Sequence, residues 1–94
     1  MNPLIEAVRS IVLAAAVSHG VDPRLMERIA ACESGYNRYA MNSPYVGLYQ
    51  LGTNKQRQFL AEGYTDLYDP AQQANFVAEL IAQGELSDWA GCLR

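Results

Sequence analysis

Three times in this chain an asparagine or aspartate is followed at once by proline: Asn2-Pro3, Asp22-Pro23 and Asp69-Pro70. Each pair is a helix start. The first side chain accepts from an otherwise unpaired backbone N–H, and proline at the first helical position lacks an N–H that would have no partner there. Behind each pair, apolar residues recur at three-and-four spacing. Leu4, Val8, Ile11, Val12 and Ala15 run up to Gly20; Leu25, Met26, Ile29 and Ala30 run up to Gly35; Ala74, Val77, Ala78 and Ile81 run up to Gly84. Apolar stripes of this kind must be covered by one another, so the expected fold is mainly α, a small bundle-like domain.

The remaining elements are less sharply marked. His19 stands near the end of the first helix, of about four turns, where a histidine caps the last carbonyls and favours the helix dipole. A further helix is expected from a Thr53 cap to Gly63, burying Phe59 and Leu60. Gln72, three residues after Asp69, completes the pattern of a capping box. Residues 36–52, "YNRYAMNSPYVGLYQLG", hold turn formers at Asn42, Ser43 and Pro44 and read as a tyrosine-rich loop with a short extended pair around "YVGLYQL". The tail "ELSDWAGCLR" reads as a short turn carrying Trp89 and Cys92. No internal repeat or low-complexity segment is present.

At 94 residues, half of them hydrophobic, the chain makes one domain over residues 1–94, whether complete or cut from a longer protein. The formal charge is -3 and the seven Lys and Arg residues form no run, which leaves no footprint for a nucleic-acid backbone. No apolar run is long enough to span a bilayer. "SIVLAAAV" (residues 10–17) has the small residues of a secretory core, but it is short, Glu6 and Arg9 precede it at helical spacing, and no basic cluster lies upstream. It reads as part of the first helix, so export would use another route or a longer chain.

Cys32 and Cys92 are the only cysteines. Zinc would need two more ligands, and His19 alone does not complete a set, so no metal and no cofactor are expected. From spacing alone two readings stand: a disulfide closing a loop of about 60 residues, which loop entropy values at about 4 kcal/mol, or two buried free thiols.

The second helix carries the chemistry. At about 100° per residue, Glu33 projects between Met26, Ile29 and Ala30, whereas Arg24, Glu27, Arg28 and Ala31 project elsewhere. A carboxylate pressed against apolar neighbours loses solvation in its charged form, and its pKa rises toward neutrality. It then suits general acid work, such as protonating a glycosidic oxygen. The plainer alternative is that Glu33, in the last turn, escapes into water. Just beyond it crowd Tyr36, Tyr39, Tyr45 and Tyr49, whose faces suit the C–H surfaces of sugar rings and whose hydroxyls can bond ring substituents. Such a cluster equally suits plain packing. Gly47 permits close backbone approach, and Gln50 offers a donor and an acceptor for an acetamido group.

"GVDPRLMERIAACESGYN", "VGLYQL" and "DPAQQANFVAELI", in that order, resemble the lysozyme-like domain of soluble lytic transglycosylases and goose-type lysozymes, from about Gly20 to Trp89. The cysteine just before the glutamate and the Trp89-to-Cys92 ending are similar to the resuscitation-promoting factor branch, and that resemblance implies a Cys32–Cys92 disulfide. It further implies that Glu33 is the catalytic acid and then base and that Ser34 is a hydroxyl near the cleft. Gly47, Leu48 and Gln50 would form the cleft strand or loop, and Asn75 would be structural; Tyr36, Tyr45 and Tyr49 join the expected sugar groove on the tyrosine chemistry given above. Two departures touch the outer contacts: "LGTNK" follows the glutamine motif, and the Ala-Tyr-Asn-Ala-Gly segment of long transglycosylases is missing.

The implied activity is cleavage of the β-1,4 bond between N-acetylmuramic acid and N-acetylglucosamine in peptidoglycan. Hydrolysis generally needs a second carboxylate about 5 to 9 Å away. Asp66, Asp69 and Asp88 are the candidates, and none stands out. A lytic transglycosylase needs Glu33 alone and is the leading expectation. The rivals are a hydrolytic muramidase, a wall-binding or tail-structural module without turnover, and a helical interaction domain unrelated to sugars. The expected partner is a glycan strand met by a monomeric domain outside the cytoplasm, in the wall or periplasm or on a bacteriophage particle.

Overall fold

The computed structural model describes residues 2–93. In chain order these form helix α1 (Pro3–Ser18), helix α2 (Pro23–Ser34), strands β1 (Met41–Asn42) and β2 (Tyr45–Val46), helix α3 (Thr53–Ala61), helix α4 (Pro70–Ala82) and a carboxy-terminal 3-10 helix (Ser87–Leu93). The architecture is the expected one, mainly α with a short hairpin.

All three Asx-Pro starts are helix caps. Asn2 Oδ1 accepts from Leu4 N at 2.8 Å, Asp22 Oδ1 from Arg24 N at 2.9 Å and Asp69 Oδ1 from Ala71 N at 3.0 Å. The stripes behind them meet in one core: α1 packs on α2 and α4, burying Val8, Val12, Ala15 and Ala16 against Met26, Ile29, Ala30, Ala74 and Val77. "SIVLAAAV" therefore lies within a packed helix, and no helix among the described residues is long and apolar enough to cross a membrane. His19 closes α1, and its Nε2 meets Asn75 Oδ1 at 3.1 Å, which ties the end of α1 to α4 and gives Asn75 a structural part.

Three details differ from the sequence expectation. Thr53 is the first residue of α3, not its cap: Gly52 holds the cap position and makes no side-chain bond. Within α3 only Phe59 is buried, packed edge-on to Phe76 at 5.4 Å, whereas Leu60 is 52% exposed because a nine-residue helix on the surface has room for one inward stripe. Gln72 does not complete a capping box; its Oε1 accepts from Thr65 N at 2.8 Å and Asp66 N at 3.0 Å, pinning the loop before α4.

The hairpin pairs Met41 with Val46 and Asn42 with Tyr45, around a cis Ser43–Pro44 bond. A second turn follows directly, over residues 47–50, and the short extended pair expected around "YVGLYQL" is the single antiparallel bridge between Val46 and Leu51 that closes it. Gly47 (φ 87°) and Gln50 (φ 53°) take the left-handed conformation this turn requires.

Candidate active site

Helix α2 ends just past Glu33. Gly35, at φ 61°, takes the left-handed cap position, and its N–H donates to Ala31 O at 3.0 Å. Tyr36 continues in the same region at φ 64°, held there by its hydroxyl, which donates to Glu27 O at 3.2 Å. These two residues turn the chain sharply away and leave Glu33 at the open end of the apolar stripe. Met26, Ile29 and Ala30 are fully buried; Glu33 is half-buried. The carboxyl thus sits at the rim, between the two positions its sequence allowed.

Burial raises the Glu33 pKa above the ordinary carboxylate value. Its place in the last turn of α2, where the helix dipole is negative, acts in the same sense. No hydrogen bond or ion pair among the described residues offsets this, so the surroundings shift the equilibrium toward the proton-bearing form.

Glu33 opens onto a cavity of about 610 Å³. Tyr45, Gln50 and Asn42 line one part of it, from the hairpin and the turn. Residues 51–55, leading into α3, line another, and Asp88 and Trp89 of the 3-10 helix close it. The Cys32–Cys92 disulfide, spanning 60 positions with Cα atoms 5.8 Å apart, fastens that 3-10 helix to the last turn of α2, so the covalent link lies beside the candidate acid.

The other expected groove residues take different places. Of the tyrosines, only Tyr45 lines this cavity; its ring, 51% exposed, rests on Gly52, where an added Cβ would lie 3.2 Å from Tyr45 Cε1. Tyr36 is turned to a separate depression against α1, as is Tyr39. Tyr49 is no sugar platform. It is fully buried, and three elements hold it: its hydroxyl donates to Met26 O at 2.9 Å, its N–H donates to Gln73 Oε1 at 2.5 Å, and its carbonyl accepts from Trp89 Nε1 at 3.0 Å. That burial pushes its phenol pKa up.

Ser34, Gly47 and Leu48 likewise do not line the cavity; they shape what does. Ser34 Oγ donates to Leu48 O at 2.7 Å, which joins the helix end to the turn. Gly47 lies against the Gln73 side chain, and a Cβ there would collide with its amide. Gln50 does line the cavity, yet its amide is already engaged: Nε2 donates to Gly47 O at 2.9 Å and Ala40 O at 3.2 Å, and Oε1 accepts from Asn42 Nδ2 at 3.0 Å. Only the second lone pair of Oε1 remains for a ligand.

Sequence reasoning missed two contributors. Gln73 is the sole buried polar side chain among the described residues, and besides accepting from Tyr49 it donates to Leu67 O at 2.9 Å and Val46 O at 3.3 Å. Its signal was a glutamine on the apolar stripe of α4, three positions before Phe76. Trp89 was noted only for its cysteine spacing; it is buried and forms the cavity wall. Of the three candidate second carboxylates, Asp69 caps α4, Asp66 accepts from Tyr68 N at 2.9 Å, and Asp88 alone joins Glu33 in the cavity. Among the described residues no group of His, Cys, Asp and Glu could hold a metal ion.

No curated protein and no solved structure matches the chain. The family model described as the transglycosylase SLT domain matches residues 10–86, from the middle of α1 to the edge of the 3-10 helix, and so takes in both the Glu33 turn and the loop opposite. The chain belongs to the transglycosylase SLT domain family, within the lysozyme-like superfamily of peptidoglycan lytic transglycosylases.

Proposed function

We propose that this domain cleaves the β-1,4 bond between N-acetylmuramic acid and N-acetylglucosamine without water, as a lytic transglycosylase with Glu33 as its one acid and base. The observation that carries this reading is the half-buried carboxyl of Glu33, unpaired among the described residues, at the mouth of a cavity large enough for sugar rings. Protonated Glu33 gives its proton to the bridging oxygen as the bond to the anomeric carbon breaks. The resulting carboxylate faces the positive charge that develops on the sugar, then takes the proton of the muramic 6-hydroxyl. That oxygen closes on the anomeric carbon as a 1,6-anhydro ring, and Glu33 is returned protonated.

Tyr45 offers an exposed ring for stacking on a sugar face, and Trp89 supplies an apolar wall. Ser34, Gly47, Leu48 and Tyr49 act by holding the turn that carries Gln50 into the cavity. On this reading the domain acts as a monomer outside the cytoplasm, where its substrate lies, in a bacterial wall or on a phage particle.

Hydrolysis is the second reading, favoured by Asp88 in the same cavity. Mass spectra of digested walls separate the two: anhydro ends are expected, and reducing ends would mean hydrolysis. Glu33→Gln should abolish release of either product. Wall binding by the unmutated protein with no fragments released would mean a binding module.

A further inference from the structure

Among the described residues, the Glu33 cavity contains one cation. Lys55, in the first turn of α3, is the only Lys or Arg that lines it among the described residues. Its side chain is largely withdrawn from solvent, at 24% exposure, while its two acidic neighbours, Glu85 and Asp88, are 51% and 52% exposed. The ammonium lies 3.7 Å from Glu85 Oε2 and 3.9 Å from Asp88 Oδ2, beyond hydrogen-bonding distance from either. The two carboxylates draw the ammonium toward the cavity, but neither forms a close pair, and loose pairs of this kind are easily exchanged.

Building on the glycan reading above, we infer that Lys55 is a specificity-determining residue that binds a carboxylate on the muramic acid substituent of the glycan. An incoming carboxylate can approach to full hydrogen-bonding contact, gaining the charge-assisted bond that Glu85 and Asp88 do not make. The need for such a contact follows from charge. The chain is formally -3 and the muramyl substituents are acidic, so long-range electrostatics oppose association and a favourable contact has to be local. The carboxylate belongs either to the peptide stem or to the lactyl group exposed when the stem is absent.

The test reads binding without turnover. Glu33→Gln protein is pelleted with purified walls freed of teichoic phosphate, either native or with carboxylates converted to amides by carbodiimide and ammonia. Binding to native walls should be tighter by roughly fivefold or more. Adding Lys55→Met should remove the difference, and Lys55→Arg should keep it. Binding that is unchanged or stronger after amidation, as charge alone predicts for this chain, would overturn the inference. So would a Lys55→Met protein that still discriminates. Walls stripped of stems by an amidase, which bear only lactyl carboxylates, identify the source: retained binding means the lactyl group, lost binding the stem. Parallel digestion with the unmutated protein keeps the two readings apart. Carboxylate-dependent binding without released fragments would overturn the enzymatic reading and leave Lys55 its role.

Discussion

Ser34 Oγ donates to the carbonyl of Leu48 at 2.7 Å, so the residue that follows Glu33 is bonded to the turn that brings Gln50 into the same cavity. The Glu33 turn and the loop are thereby set against each other by one hydroxyl. Ser34→Ala should cost about 1 kcal/mol of stability, the usual net value of such a bond. It should lower the rate of wall digestion by roughly tenfold, because small displacements of a catalytic group weigh heavily on rate. Thermal unfolding and digestion rates measured together check this; a variant with full activity would show that the tie does not position Glu33.

The disulfide joins α2 to the helix bearing Asp88 and Trp89 across 60 positions. The loop-entropy model values such a closure at about 4 kcal/mol, a large share of the stability of a small domain. Replacing both Cys32 and Cys92 by serine should lower the denaturation midpoint accordingly. Digestion should fall even at temperatures where circular dichroism shows the helices intact, since the cavity loses its Trp89 wall first. Equal activity with and without the bond would contradict this.

Gly47 and Gly84 share φ 87°, but their surroundings differ. A Cβ at Gly84 meets nothing within 4 Å, whereas one at Gly47 collides with the Gln73 amide. Alanine at either position carries the left-handed strain of about 1 kcal/mol. Gly47→Ala should cost a further 1 to 3 kcal/mol, roughly, because Gln73 must move and its buried hydrogen bonds with it. Urea unfolding of the two variants isolates that contact; equal losses would mean Gln73 yields freely.

These comparisons indicate which parts of the molecule were legible beforehand. Asn2, Asp22 and Asp69 act locally, through bonds to N–H groups two residues on, so three helix starts could be read directly. Glu33 was legible for the same reason, since a helix has one period and Met26, Ile29 and Ala30 define its inner face. The site around Glu33 was not, because it is made by long-range contacts. Trp89 and Asp88 arrive from more than 50 positions away, and Gln73, although on the apolar stripe of α4, finds its partners at Val46 and Tyr49 more than 20 positions away. The tyrosines misled as a cluster. The left-handed backbone at Tyr36 sends it behind the helix, Tyr49 goes into the core, and Tyr45 alone remains at the cavity.

Glu33 should also weaken the fold that holds it. Its pKa is raised in the native state, so the folded protein holds a proton that the unfolded chain has released between the ordinary carboxylate value and the raised one. Stability from this group is complete below the ordinary value and is lost as pH rises through the raised one. Glu33→Gln should match the unmutated protein in acid and exceed it at neutral pH, by less than about 1 kcal/mol given solvent screening at the rim. Unfolding curves at the two pH values check the sign; a variant less stable at neutral pH would contradict it.

The most direct test of the whole account is the titration of the Glu33 carboxyl in the folded domain, followed by carbon NMR and set beside the pH profile of wall cleavage. The expected midpoint lies above the ordinary glutamate value and coincides with the alkaline limb of the activity profile. An ordinary midpoint, or an alkaline limb unrelated to it, would contradict the claim that a proton held by burial at Glu33 cleaves the glycan.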